Sequence, residues 1–147
     1  MATIFTKIIN GEIPCYKIAE DERNFAFLDI NPMTKGHALV VPKLSEPEGD
    51  YIFDLNDEAY ASLMAFAKKV AKAIEKTIDC KRIGVAVMGM EVPHVHVHLI
   101  PINKESDMVI SNPKLKLADE EMVNIASKIA SNYKSFFEKQ YFFCWYI

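Results

Sequence analysis

Pro93-His94-Val95-His96-Val97-His98-Leu99-Ile100-Pro101 holds three of the four histidines in this chain, fenced by two prolines. The histidines alternate with Val, Val and Leu, and strict period-2 alternation is the pattern of a β-strand. His94, His96 and His98 then share one face, each roughly 6.5–7 Å from the next. Val95, Val97 and Leu99 take the opposite face and supply a core. A row of half-buried imidazoles needs hydrogen-bond partners and contributes little packing, which argues against a purely structural use. Imidazole can be nucleophile, base, acid or metal ligand near neutral pH. Two chemistries follow: a nucleophilic histidine site, or a metal site in which a His-x-His strand and one further histidine hold Zn²⁺ or Fe²⁺.

Upstream of this strand the chain alternates short strands with punctuation. Residues 4–10 read as a helical turn stopped by Asn10-Gly11. A strand near Tyr16–Ala19 and another at Phe25–Leu28 flank an Asp21–Asn24 turn and form a hairpin. Asp29–Gly36 is a loop, and His37–Pro42 is a third strand, almost wholly apolar and therefore central. Lys43–Asp54 reads as an exposed loop. A long helix follows, with Asn56 as N-cap, acids in its first turn, and Leu63, Phe66, Ala67, Val70, Ala73, Ile74 and Ile78 at helical spacing. A fourth strand spans Arg82–Met88. Beyond Pro101 come a polar irregular segment and a second helix over about Asp119–Glu138. The aromatic run Tyr141–Ile147 is expected to pack back on the domain or against a partner subunit.

Composition narrows the class. The 147 residues fit one domain, half of them hydrophobic and a quarter charged, with a net charge of −3. Scattered basic residues give no case for nucleic-acid binding. No apolar run is long enough for a membrane span, and the first residues lack a signal peptide's apolar core. Cys15, Cys80 and Cys144 are few and far apart, which points to reduced thiols and a cytoplasmic location.

The run His94-Val95-His96-Val97-His98-Leu99-Ile100 resembles the pattern that defines the histidine triad (HIT) superfamily. Two further blocks carry the likeness: Ile4-Phe5-Thr6-Lys7-Ile8-Ile9 with Glu12-Ile13-Pro14, and Phe27-Leu28-Asp29-Ile30-Asn31-Pro32 with Gly36 to Lys43. Together they cover residues 3 to about 102 in the family's order. The resemblance implies an α+β fold, an antiparallel sheet of about five strands with one long helix packed on it and a C-terminal helix. It also implies a homodimer and nucleotidyl hydrolysis or transfer without a cofactor or metal. His96 would attack the α-phosphate of a nucleotide (a purine nucleotide favoured) and form a covalent intermediate. His94 would support it, His98 would contact phosphate or leaving group, and His37 would relay a proton. Phe5, Ile8, Phe27 and Ile30 match apolar positions around the base, and Asp29 matches a carboxylate that holds the ribose hydroxyls.

Three departures stand out. Gly89 is followed by Met90 rather than the family's usual Gln. Glu91 stands where one branch offers Ser to the phosphate, and a carboxylate there is repulsive unless protonated or turned away. Some members hold zinc on an N-terminal Cys pair; this chain has Thr3 and Thr6. Besides the hydrolase, a metalloenzyme and a nucleotide-binding protein with weak catalysis therefore stay open.

Overall fold

A computed structural model describes residues 3–44 and 49–138. Its elements run α1 (Ile4–Ile9), β1 (Lys17–Glu20), β2 (Asn24–Leu28), β3 (Ala38–Pro42), α2 (Asp57–Thr77), β4 (Arg82–Ala86), β5 (Val97–Ile102) and α3 (Asp119–Tyr133). The five strands form one antiparallel sheet in the order β1-β2-β3-β5-β4. The chain is α+β, as the family resemblance implies. The aromatic run 141–147 lies outside the described residues.

The two central strands are buried throughout because both faces of the sheet are covered. Ala26, Leu28, Val40, Val97 and Leu99 face α2 and α3, where Leu63, Phe66, Val70, Ile74, Met122 and Ile129 complete the larger core. Phe25, Phe27, Leu39 and Val41 face the other way and meet Phe5 and Ile8 of α1 in a smaller cluster. Alternation thus survives inside strands that look uniformly apolar, each side chain taking one of two cores. Helix α2 starts where its cap signal lies: the Asn56 side chain accepts from the Ala59 N–H at 2.8 Å.

The histidine stretch departs from expectation at its start. Regular pairing begins only at Val97, so His94 and His96 lie in the segment leading into β5. Strand β5 in turn runs through Pro101 to Ile102. The proline is tolerated because β3 pairs with β5 only as far as Leu99. The Pro101 carbonyl is met instead by the Thr34 hydroxyl at 2.7 Å, so its missing N–H falls on the side where the ladder has ended. The fourth strand stops at Ala86, short of the expected Met88. Helix α3 ends at Tyr133, and the expected stretch to Glu138 continues as a wider π-type turn.

Gly36 makes the turn before β3 possible. Its φ is +90°, and a Cβ there would stand 2.7 Å from Ile78 Cγ1. Only glycine suits both the left-handed backbone and the close approach of the end of α2.

Candidate active site

The four histidines converge at the edge of the smaller core. Cross-strand partners share a face, and His98 pairs with Leu39. His98 therefore lies on the α1 side of the sheet, with Phe27 and Phe5. The His96 and His98 rings are 5.1 Å apart, His37 and His98 5.2 Å, and Phe5 meets His96 edge-on at 5.0 Å.

Hydrogen-bond partners fix which nitrogen of each ring carries the proton. His96 Nδ1 lies 2.8 Å from the His94 carbonyl oxygen. A carbonyl only accepts, so Nδ1 is the N–H and Nε2 keeps its lone pair. Among the described residues no buried side-chain N or O is left without a partner, and Nε2 of His96 has none. That nitrogen therefore reaches the surface of an otherwise buried ring with its lone pair unengaged.

A second chain of bonds sets His98. The Met33 backbone N–H donates to His37 Nδ1 at 3.0 Å. An imidazole accepting at Nδ1 carries its proton on Nε2, which donates to His98 Nδ1 at 2.9 Å. His98 must then be the Nε2–H tautomer, with that donor unengaged and facing outward. Burial, the largest cause, holds both rings neutral: the His37 pKa is lowered to about 3 and that of His98 to about 4, with the positive field of neighbouring groups adding to it.

The same chain bears on metal binding. Asp29, His37 and His98 bring ligand atoms within 4.8 Å of one another. Yet the Met33 N–H occupies His37 Nδ1, so its Nε2 carries a hydrogen and offers no lone pair. These residues do not fit a metal ion unless the loop at Met33 rearranges.

His94 turns its ring inward, while its carbonyl accepts from His96 Nδ1–H. Its Nε2–H donates to the Pro42 carbonyl at 2.8 Å, and its Nδ1 meets the Thr3 hydroxyl at 2.9 Å. Both nitrogens are engaged inside the protein, so only His98 has a donor to turn outward. Burial is the main reason its pKa is lowered.

The other anticipated residues divide. Phe5, Ile8 and Phe27 are buried together, with Phe5 against the histidine rings. Ile30 does not join them: it is 69% exposed, carried outward in the turn after β2. Asp29 sits in the turn after β2. Oδ1 accepts from the Asn31 N–H at 2.8 Å and braces the turn, while Oδ2 lies 3.6 Å from His37 Nε2. Burial raises its pKa against the lowering effect of that backbone bond. Gly89 takes a φ of +68°, which suits glycine, and Met90 and Glu91 beside it are exposed.

Two contributors escaped the sequence reading. Lys114, in the polar segment beyond β5, extends its positive field to Asp29, His37 and His98. Its neighbour Leu115 is tied to the Pro32 carbonyl at 2.8 Å. Thr3 reaches His94 across 91 positions of sequence. Lys114 lies in no local pattern that would single it out, and Thr3 stands out in the sequence only as a replacement for the cysteine of some HIT members.

The HIT domain family model matches residues 10–105. The chain belongs to the HIT family. It is 38% identical over 136 residues to the adenosine 5'-monophosphoramidase hnt1 of Schizosaccharomyces pombe, covering 91% of this chain and all of that one. It is 30% identical over 133 residues to the adenylylsulfatase HINT3 of Arabidopsis thaliana, covering 87% of this chain and 66% of that one. A crystal structure of a Hit-like protein from Bartonella henselae superposes with a TM-score of 0.75 at 30% identity, covering 88% of this chain and 95% of that one. The HIT fold and the five-stranded sheet agree. None of the described helices is long and apolar enough to cross a membrane.

Proposed function

We propose that this HIT-family hydrolase transfers a nucleotidyl group from the α-phosphate of a purine nucleotide to His96 and then to water. The enzyme class rests on its relatives, whose named activities act on an adenosine phosphoramidate and an adenosine phosphosulfate. The observation that carries the mechanism is the unpartnered Nε2 of His96, left with its lone pair by the Nδ1–H bond to His94. Nε2 attacks phosphorus, the P–N(His) bond forms, and the bond to the leaving group breaks with its electron pair on that group. For a phosphoramidate, the departing amine takes its proton from water. A second water then displaces the histidine, its proton neutralising the hydroxide left by the first, and the nucleoside monophosphate is released. Splitting the displacement lowers the demand on each step.

His98 contributes its Nε2–H to a phosphoryl oxygen or the leaving atom. It acts as a hydrogen-bond donor, because a ring with a pKa of about 4 has no proton to give at neutral pH. His37 likewise orients His98 rather than relaying a proton, since it cannot give up Nε2–H while Nδ1 is held by the Met33 N–H. Asp29 Oδ2 offers an acceptor to ribose hydroxyls, and Phe5, Ile8 and Phe27 wall the base. Acyl nucleotides and dinucleoside polyphosphates present the same α-phosphate and belong to the same substrate class.

The protein works as a homodimer in this reading. Strand β4 is an edge of the sheet, and Val85 on it is 53% exposed. Beside it lies a largely apolar groove of about 280 Å³ lined by Met64, Ala67, Ala71, Ile83, Val85 and Leu99, with Lys68, Lys72 and Glu75 also on its walls. A second copy would cover both the apolar groove and the strand edge. A reducing cytoplasm accords with the free thiols of Cys15 and Cys80.

A second reading, nucleotide binding with weak catalysis, draws on Met90, which is 90% exposed, and on the adjacent Glu91 carboxylate. One experiment separates the two. Protein mixed with adenosine 5'-phosphoramidate, quenched and digested, should yield an acid-labile nucleoside monophosphate on the peptide holding His96. His96→Ala should bind nucleotide and turn nothing over. A label on His94, Glu91 or a cysteine, or full activity in His96→Ala, would sink the mechanism.

A further inference from the structure

The nucleophile is held by a carbonyl that the sheet does not hold. Regular pairing of β5 begins at Val97, so the backbone of His94–His96 has no ladder on either side. Two backbone bonds tether it: the His94 N–H donates to Val92 O at 2.8 Å, and the Val95 N–H, in the same peptide unit as the His94 carbonyl, donates to Gly49 O at 2.6 Å from the loop before α2. The His94 carbonyl nevertheless has to sit where His96 Nδ1–H can reach it, because that bond decides whether Nε2 has a lone pair. The ring adds two anchors from other elements. Nε2–H is tied to Pro42 O at the end of β3, and Nδ1 to Thr3 Oγ1 at the start of α1.

Thr3 is well placed for that work. As the N-cap of α1, its Oγ1 accepts from the Thr6 N–H at 3.2 Å, while its own N–H donates to Thr6 Oγ1 at 3.3 Å. The two hydroxyl oxygens are 3.2 Å apart. Since His94 Nε2 must donate to a carbonyl, His94 Nδ1 is an acceptor, and the Thr3 hydroxyl hydrogen goes to it. The Thr6 hydroxyl can supply the hydrogen between the two threonines. Two residues along, Phe5 presses edge-on against both His94 and His96, with ring centroids 5.7 and 5.0 Å apart. One short turn of helix therefore grips the triad at a polar and an apolar point.

We propose that Thr3 is a positioning residue of the transfer site, its hydroxyl fixing the His94 ring and, through the His94 carbonyl, the tautomer of the His96 nucleophile. The role rests on His96 being the nucleophile, but its structural half stands independently of any turnover. Without the hydroxyl the His94 ring keeps only its bond to Pro42 O, the residue and its carbonyl shift against the remaining backbone tethers, and His96 exchanges part of its Nδ1–H for Nε2–H, which has no lone pair to offer. Substrate contacts are untouched, so the effect belongs in kcat and not in KM.

The test begins on ¹⁵N-histidine-labelled wild-type protein without substrate. At neutral pH, ring-nitrogen spectra should show His94 as the Nε2–H tautomer and His96 as Nδ1–H. Thr3→Val should mix the His96 tautomers and lower kcat about three- to tenfold at constant KM, the worth of one hydrogen bond. Thr3→Ser should restore both readings. Asn56→Ala removes the cap of α2, away from the site, and controls for stability: it should lower the melting temperature with neither effect. A His94 ring in the Nδ1–H form in wild type overturns the proposal without any variant. So does a His96 spectrum or a kcat unmoved in Thr3→Val, or an equal kcat loss in Asn56→Ala. Wild-type protein with no turnover would refute the transfer reaction, and the ring spectra would still decide the role of Thr3.

Discussion

Replacing His37 by Phe removes the link between the Met33 N–H and His98 Nδ1, and its consequences can be worked from those two bonds. The Met33 N–H loses its acceptor at 3.0 Å and His98 Nδ1 its donor at 2.9 Å. An unsatisfied buried polar group costs about 1–3 kcal/mol, so stability should fall by about 2–6 kcal/mol if neither group finds water. The catalytic effect is separate. His98 is no longer confined to the Nε2–H form and spends part of its time with the hydrogen on Nδ1, pointed away from substrate. Deleting a donor to developing charge outright costs about 10²–10³ in kcat, so partial loss should fall short of that, at about 10–10²-fold. KM should change little. Steady-state kinetics on adenosine 5'-phosphoramidate read both constants. His37→Gln should recover most of the rate, since one amide supplies both an acceptor for Met33 and a donor for His98. His37→Phe added to His98→Ala should cost nothing further in kcat, because His37 acts only through His98. Wild-type kcat in His37→Phe, or full additivity in the double variant, would refute the reasoning.

Four other outcomes are expected. Asp29→Ala should weaken nucleotide binding by about 1–3 kcal/mol and leave kcat for bound substrate largely intact, measured as KM against kcat, since ribose contacts are uniform binding. Activity should survive dialysis against EDTA, because His37 Nε2 carries a hydrogen rather than a lone pair; stoichiometric metal in active protein, lost with activity on chelation, would reverse this. Denaturant melts should show stability falling as pH drops below about 6.5, where the unfolded chain takes up protons that His37 and His98 refuse until about pH 3 and 4. Above that pH the two rings are neutral in both states and contribute no slope. Gly36→Ala should destabilise by about 2–5 kcal/mol, combining a left-handed backbone with a Cβ driven into Ile78, read as a lower urea midpoint at unchanged slope.

The amino-acid sequence by itself determined the class of fold and singled out one histidine-rich stretch. Period-2 alternation, the cap at Asn56 and the apolar stripe of α2 are local patterns, set by the geometry of one element, and each reappears within a few residues of its expected bounds. The concentration of three histidines in one stretch is local in the same way. The alternation alone does not contain the hydrogen-bond partners that set these rings apart. Read as a strand, His94 and His98 are equivalent flanks of His96. In three dimensions His94 has both nitrogens engaged by Thr3 and Pro42, while His98 keeps an outward donor because His37 and Met33 stand behind it. Those partners come from α1, the end of β3 and the loop before it. Ile30 illustrates the same limit: an apolar side chain in sequence, it is turned to solvent by the bend that Asp29 braces. A tautomer is decided by whichever donor or acceptor the folded chain brings to each ring nitrogen, and that is a property of tertiary contact alone.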